Sequence, residues 1–287
     1  MTAAPASSAV LHHWSLLRWL AWSLLPLLFL GVALWVQSQP VLPAHRALFL
    51  QLNQSAQVLP PALWSMLTLL GDAGVLFALL SPLLLMRPQL MLAVIAAVPL
   101  GGLFSVLFKR LFDAPRPAAV LDLAQFHLIG PLLSNHSFPS GHTISAFAAA
   151  GALLATVVPT GKLTSPSSTA GSSTLSSAVW AVIILGLAAL VGLSRVAVGA
   201  HWPVDVLAGA SGGWLAGLSG AAVARRFPSL WNRAASQHWM CGALLGVAAW
   251  LLWHPVEYPL GAVVVRLAVI CVVVTAAAQI VAWARTG

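Results

Sequence analysis

Apolar residues in this chain gather into long runs instead of alternating with polar ones. Eight runs stand out, near positions 17–36, 64–86, 89–108, 142–159, 178–197, 204–224, 239–253 and 261–283. A bilayer core about 30 Å thick takes about 20 helical residues at about 1.5 Å rise each, so each run is predicted to be a transmembrane helix. The seventh is short, and either tilts less or begins several residues earlier. The first, from Trp19 to Val36, is too long for the core of a cleaved leader, and Gln37-Ser38-Gln39 is a poor small-residue cleavage site; it is read as a span. The expected fold class is an all-α integral membrane protein.

The segments between runs differ in character. Residues 160–178, rich in Ser, Thr and Gly, read as a flexible linker. Residues 37–63 carry Pro40, Pro43, Pro60 and Pro61. Between them, Ala44 to Val58 mixes apolar and polar positions at helical spacing, which predicts a short amphipathic helix on the membrane interface. Residues 113–141 form a second long loop. Many tryptophans, among them Trp19, Trp35, Trp64, Trp180, Trp202, Trp239, Trp253 and Trp283, fall at span ends, where amphipathic rings anchor at headgroups.

Composition sharpens this. Of 287 residues, 60% are hydrophobic and only 6% charged, with mean hydropathy +0.94. Soluble domains carry about 25% charge, so a soluble enzyme, a disordered chain and a coiled coil are excluded. The net charge of +8 does not indicate nucleic acid, because the basic residues are scattered between apolar runs. Cys241 and Cys271 lie inside apolar runs without metal-like spacing.

Lysine and arginine set the orientation. With both termini inside, Arg18, Arg87, Lys162, Arg225, Arg226, Arg233 and Arg285 lie on the inner side. Arg46, Lys109, Arg110, Arg116, Arg195 and Arg266 lie on the outer side. The acids Asp72, Asp113, Asp122, Asp205 and Glu257 then fall outside or near outer span ends.

Three polar clusters share that outer side: KRLFDAPRP from Lys109 to Pro117, FPSGHT from Phe138 to Thr143, and SRVAVGAHWPVD from Ser194 to Asp205. Lys109-x6-Arg116-Pro117, Pro139-Ser140-Gly141-His142 and Ser194-Arg195-x5-His201-x3-Asp205 together resemble the three-part signature of the type-2 phosphatidic acid phosphatase superfamily, at all eleven specified positions. The resemblance extends over a six-span lipid phosphatase core, residues 17–224. It leaves 225–287 as two additional spans. It implies a site without metal or cofactor, acting on a lipid phosphate or pyrophosphate embedded among bilayer lipids.

The residue chemistry agrees. Phosphoryl transfer places charge on equatorial oxygens and is catalysed mainly by positioning and electrostatics. Lys109, Arg116 and Arg195 supply three cations, and the planar arginine forks match phosphate oxygens. Ser140 and Gly141 precede an apolar helical run. Ser140 is a candidate N-cap, and free N–H groups at a helix start bind anions. Gly141 permits close approach, and His142 falls in the first turn. His201 and Asp205 are four apart around Pro203, which suits a first helical turn. Asp205 is placed to hold one ring nitrogen of His201 and leave the other free. Spacing alone does not say which histidine attacks. The resemblance implies His201 as nucleophile through a phosphohistidine, Asp205 as its orienter and His142 as acid to the leaving oxygen.

Other positions stay open. Ser194 is either a small helix-packing residue or a phosphate ligand. Arg110 reads as an interfacial anchor, and Pro117 and Pro139 as turn formers. Asp72 either supports the site or caps the second span at its outer end. Arg266 is expected to snorkel outward toward Glu257, and His136 is a candidate lining residue. Asn53-Gln-Ser55 and Asn135-His-Ser137 match the glycosylation sequon, but two Lys against eleven Arg look bacterial, where such matches carry no meaning.

The expected function is therefore a lipid phosphatase of a bacterial inner membrane with its site facing the periplasm. A lipid phosphotransferase is the variant within the same chemistry. A polytopic transporter is the alternative from another class, disfavoured because the charges cluster at span ends on one side. A vanadate-dependent haloperoxidase, with a similar anion site, is excluded by the composition.

Overall fold

The structure is a computed structural model, and it describes residues 8–39, 43–157, 170–230 and 234–285. Among these the protein is all-α, with no strand. The helices are α1 (Ser8–Gln37), α2 (Pro43–Ser55), α3 (Pro61–Leu69), α4 (Ala73–Leu80), α5 (Leu83–Met86), α6 (Pro88–Phe112), α7 (Pro117–Val120), α8 (Gly141–Val157), α9 (Ala170–Ala197), α10 (Pro203–Arg226), α11 (Ala234–Trp253) and α12 (Ala262–Ala284).

All eight apolar runs fold as helices, but not all as simple spans. Among the described residues, five segments are long and apolar enough to cross a bilayer: Trp19–Gln37, Pro88–Val120, Ala178–Ala197, Pro203–Arg226 and Pro259–Ala284. The run at 142–159 gives the shorter α8, and that at 239–253 begins earlier, in α11. The run at 64–86 is not one rod. It breaks at Leu70–Asp72, and α3 and α4 meet at 74°. Asp72 is the reason the chain restarts there: its Oδ1 accepts the Val75 N–H at 2.9 Å as the N-cap of α4. Asp72 therefore caps a helix, but at the break inside the second run and not at its outer end. The linker expectation for 160–178 is corrected over its second half, because α9 already begins at Ala170; residues 158–169, with Lys162, lie outside the described residues, as does Arg233.

The bundle centres on α10, which packs against α8, α6 and α1. Its inner face is built of small residues, including Gly209, Gly213, Gly217 and Gly220, all buried. A Cβ at Gly217 would lie 2.7 Å from the Ala152 nitrogen, and one at Gly209 2.7 Å from the Ser140 carbonyl oxygen. Without a hydrophobic drive between helices in lipid, such backbone-close packing is what holds spans together. The helices α11 and α12 pack on the other flank, against α3 and α4.

The predicted amphipathic helix is α2. Its Phe49 packs on Trp202 and Phe126, with ring centroids 5.1 and 5.4 Å apart. Its Asn53 uses its whole amide. Nδ2 donates to the carbonyls of His127, Val196 and Ala197 at 3.0–3.1 Å, and Oδ1 accepts the His127 N–H at 2.8 Å. A buried side chain so engaged is no glycosylation acceptor; it ties the 113–141 loop to the end of α9.

Candidate active site

The three polar clusters meet at one end of the bundle. Lys109 comes from the last turn of α6, His142 from the first turn of α8, Arg195 from the last turn of α9, and His201 and Asp205 flank the start of α10. A Cβ at Gly141 would sit 3.9 Å from Lys109 Nζ, so that ammonium lies over the glycine that opens α8.

His201 is 2% exposed. Its Nδ1 lies 3.3 Å from Asp205 Oδ2, and its Nε2 lies 3.1 Å from Arg116 Nη1. Arginine has donors only, so Nε2 accepts and the ring proton sits on Nδ1, facing the carboxylate. Burial, and then Arg116, Arg195 and Lys109, hold His201 well below the ordinary imidazole value, so the ring is neutral. Asp205 is oriented in turn. Its Oδ2 accepts the Ser137 hydroxyl at 2.5 Å and the Trp202 N–H at 2.9 Å, while Oδ1 is buried without a partner. The sequence reading met Ser137 only as part of a sequon and missed this role; its position just before the FPSGHT cluster was the available signal.

The cations are not equally free. Arg116 donates from Nε to the Asn135 carbonyl at 2.9 Å, from Nη1 to the Ala200 carbonyl at 2.9 Å, and from Nη2 to the His136 carbonyl at 3.5 Å. It closes the 113–141 loop over His201 as well as charging the site. Arg195 gives Nη1 to the hydroxyls of Thr68 and Tyr258, and its buried Nε has no partner. Sequence reasoning named neither Thr68 nor Tyr258. Ser140 is buried before α8; its hydroxyl accepts from the Thr143 hydroxyl at 2.9 Å and its N–H donates to the Asp205 carbonyl at 3.1 Å. The Ser194 hydroxyl donates to the Val191 carbonyl at 2.6 Å, within its own helix. His136 stands exposed, with Nδ1 2.8 Å from Asp113 Oδ1. Arg266 and Glu257 form no ion pair, contrary to expectation.

A groove of about 330 Å³ leads away from the polar cluster. It opens at Gly141 and His142 and runs between α4, α6 and α8 past Phe77 and Val94 to Ala149. Its lining is mostly apolar. The break in the second run makes room for it: Gly71 passes so close to α8 that a Cβ there would lie 2.8 Å from the His142 Cβ. Among the described residues, no three His, Cys, Asp or Glu side chains converge as a metal-binding group.

Residues 90–228 match the PAP2 superfamily. That segment, just under half of the chain, carries all eleven signature positions. It is 36% identical over 135 residues to the lipid A 1-phosphatase of Rhizobium etli, covering 45% of this chain and 48% of that protein. It is 38% identical over 96 residues to the undecaprenyl-diphosphatase of Sulfolobus acidocaldarius, covering 32% and 36%. The chain thus spans about half or less of the length of these relatives. The crystal structure of Aquifex aeolicus LpxE is 29% identical and covers 63% of this chain and 93% of that one, with a TM-score of 0.46. The match starts within α6, so it is narrower than residues 17–224, and α11 and α12 lie beyond it. The protein is a multi-pass membrane protein.

Proposed function

We propose that this protein is a membrane lipid phosphatase that transfers the phosphoryl group of a lipid phosphate or pyrophosphate to His201 and then to water. The observation that carries the reading is the neutral His201, its Nδ1 on Asp205 and its Nε2 on Arg116, in a polar cluster whose His142 lines the mouth of an apolar groove. Undecaprenyl pyrophosphate, phosphatidylglycerol phosphate, phosphatidate and lipid A phosphate all present the required pairing of an anionic head and an alkyl tail.

Binding comes first. The phosphate displaces the Arg116 donor from Nε2 and is held by Lys109, the free edge of Arg195 and the N–H groups that open α8. The Nε2 lone pair then attacks phosphorus, and the bond from phosphorus to the leaving oxygen breaks. His142, protonated once the bound phosphate offsets the surrounding cations, gives that oxygen a proton, and Asp205 stabilises the charge gained by His201. In the second step His142 takes a proton from water, the resulting oxygen attacks phosphorus, and the N–P bond breaks to release inorganic phosphate. The alkyl tail of the substrate lies in the groove below His142.

The chemistry needs no metal, because the charge in transfer is met by side-chain cations. Phosphate release from a panel of lipid phosphates by the purified protein tests this. Release that survives EDTA and is blocked by vanadate is expected; release abolished by EDTA and restored by Mg²⁺ would overturn it.

We further propose residues 17–224 as the phosphatase core with 225–287 as an added pair of spans, in a bacterial inner membrane with the site facing the periplasm. The excess of basic residues on the opposite side supports that orientation. Single cysteines at Ala118 and Ser229, with Cys241 and Cys271 replaced, are to be probed in intact cells with an impermeant thiol reagent. Labelling at 118 alone fits; labelling at 229 alone inverts the topology.

A further inference from the structure

Arg195 belongs to the PAP2 signature, yet both side chains that hold it lie outside the segment that matches the family. Thr68 comes from α3. Tyr258 comes from the loop between α11 and α12. Arg195 is 2% exposed, Thr68 0% and Tyr258 1%. A guanidinium at that depth is costly unless its donors are met. Nη1 donates to both hydroxyls, at 3.0 Å in the case of Tyr258, and the guanidinium carbon lies 5.6 Å from the tyrosine ring centroid. The Nε has no partner. One corner of the planar fork is thus tied down, while the edge carrying Nε is left for a ligand.

The chain is shaped to deliver that tyrosine. Gly261, three residues on, seats against α3: a Cβ there would lie 2.7 Å from the Ser65 carbonyl oxygen. Gly130, at φ +88°, leaves room for the ring, which a Cβ would meet at 2.5 Å. Val264, Val265, Ala268 and Val272 of α12 are buried in the same core cluster as Tyr258, Trp64 and Leu69. The last two helices therefore brace the loop against the site.

We propose that Tyr258 is a positioning residue for Arg195, and that one role of the C-terminal helix pair is to supply it. The hydroxyl fixes the plane of the guanidinium, so that its unpartnered edge meets the phosphoryl oxygens. This deepens the phosphatase reading and rests on it for the identity of the anion.

The test combines Tyr258→Phe, which keeps the ring and its packing, with Arg195→Lys and the double variant in the full-length protein. Two quantities are read: orthovanadate affinity by tryptophan fluorescence, and kcat/KM for lipid phosphate hydrolysis. Hydrogen bonds to charged groups are among the stronger ones, so Tyr258→Phe should lose about tenfold in each. Its melting temperature should stay close to wild type. In the Arg195→Lys background, Tyr258→Phe should cost nothing more, because the two residues act as one unit. Wild-type vanadate affinity and turnover in Tyr258→Phe would overturn the proposal, as would losses that add in the double variant. Because vanadate binding is read without turnover, its coupled loss supports the proposal even in a protein that hydrolyses no lipid phosphate, a result that would sink only the reading of activity.

Discussion

Arg116 Nη1 sits 3.1 Å from His201 Nε2, on the ring edge opposite Asp205. A donor at that position does three things. It forces the neutral ring into the tautomer with its proton on Nδ1, it depresses the basicity of the imidazole, and it covers the lone pair that attacks phosphorus in the proposed mechanism. The same guanidinium holds the carbonyls of Asn135 and Ala200, so one side chain both closes the loop and meets the proposed nucleophile.

Arg116→Lys should therefore be far from conservative. A lysine point charge cannot reach two loop carbonyls and His201 together. We expect kcat to fall by about 10²-fold or more, the scale of losing a preorganised charge contact, with a lower melting temperature. Steady-state kinetics and thermal unfolding in detergent check both; retention of more than a third of wild-type kcat would contradict the dual role.

The pH profile follows from the same pair. In the proposed mechanism His201 attacks as the neutral ring, and burial with Arg116, Arg195 and Lys109 keeps it neutral well below its ordinary value. The acid limb of kcat/KM that belongs to His201 should lie below the ordinary imidazole range. Removing a cation removes one depressing cause, so Arg116→Gln should move that limb to higher pH. A limb that stays in place, or moves to lower pH, would show that Arg116 does not set the charge state of His201.

Ser137 offers a finer probe. Its hydroxyl donates to Asp205 Oδ2 at 2.5 Å and touches no position assigned to substrate. Ser137→Ala should lower kcat about tenfold, in line with one hydrogen bond to a charged group, and leave KM within about twofold. An effect confined to KM would place Ser137 in binding instead.

How much of this the sequence displayed depends on how far apart the partners lie. His201 and Asp205 are four residues apart and share a turn, so their pairing was legible. So was the convergence of Lys109, His142 and Arg195, because contiguous signatures carry them to one end of the bundle. Ser137–Asp205, Thr68–Arg195 and Tyr258–Arg195 join elements 63 to 127 positions apart, with nothing in local pattern to mark them. The break in the second run was half visible. Gly71-Asp72 interrupts an apolar stretch, but hydropathy averages over it, and only the N-cap bond to Val75 reveals a restart. The early start of α9 was hidden by Ser and Thr, which compete for backbone hydrogen bonds and read as linker.

The glycine face of α10 should be intolerant in a position-specific way. A Cβ at Gly217 meets the Ala152 nitrogen and the Gly151 Cα at 2.7 and 2.9 Å. Gly217→Leu should destabilise the bundle by at least about 1–3 kcal/mol, the usual scale of overpacking. Ser219→Leu, on the exposed side of the same helix, should be near neutral. Thermal unfolding of the two variants in one detergent checks the contrast; equal melting temperatures would contradict the packing.

The most direct measurement is acid-quenched trapping of labelled phosphate on the protein. His201→Ala should yield neither phosphoenzyme nor turnover. His142→Ala should still form phosphoenzyme, most readily from a pyrophosphate with its better leaving group, and turn over about 10²–10⁴-fold more slowly. Normal phosphoenzyme in His201→Ala with none in His142→Ala would contradict the assignment of the nucleophile.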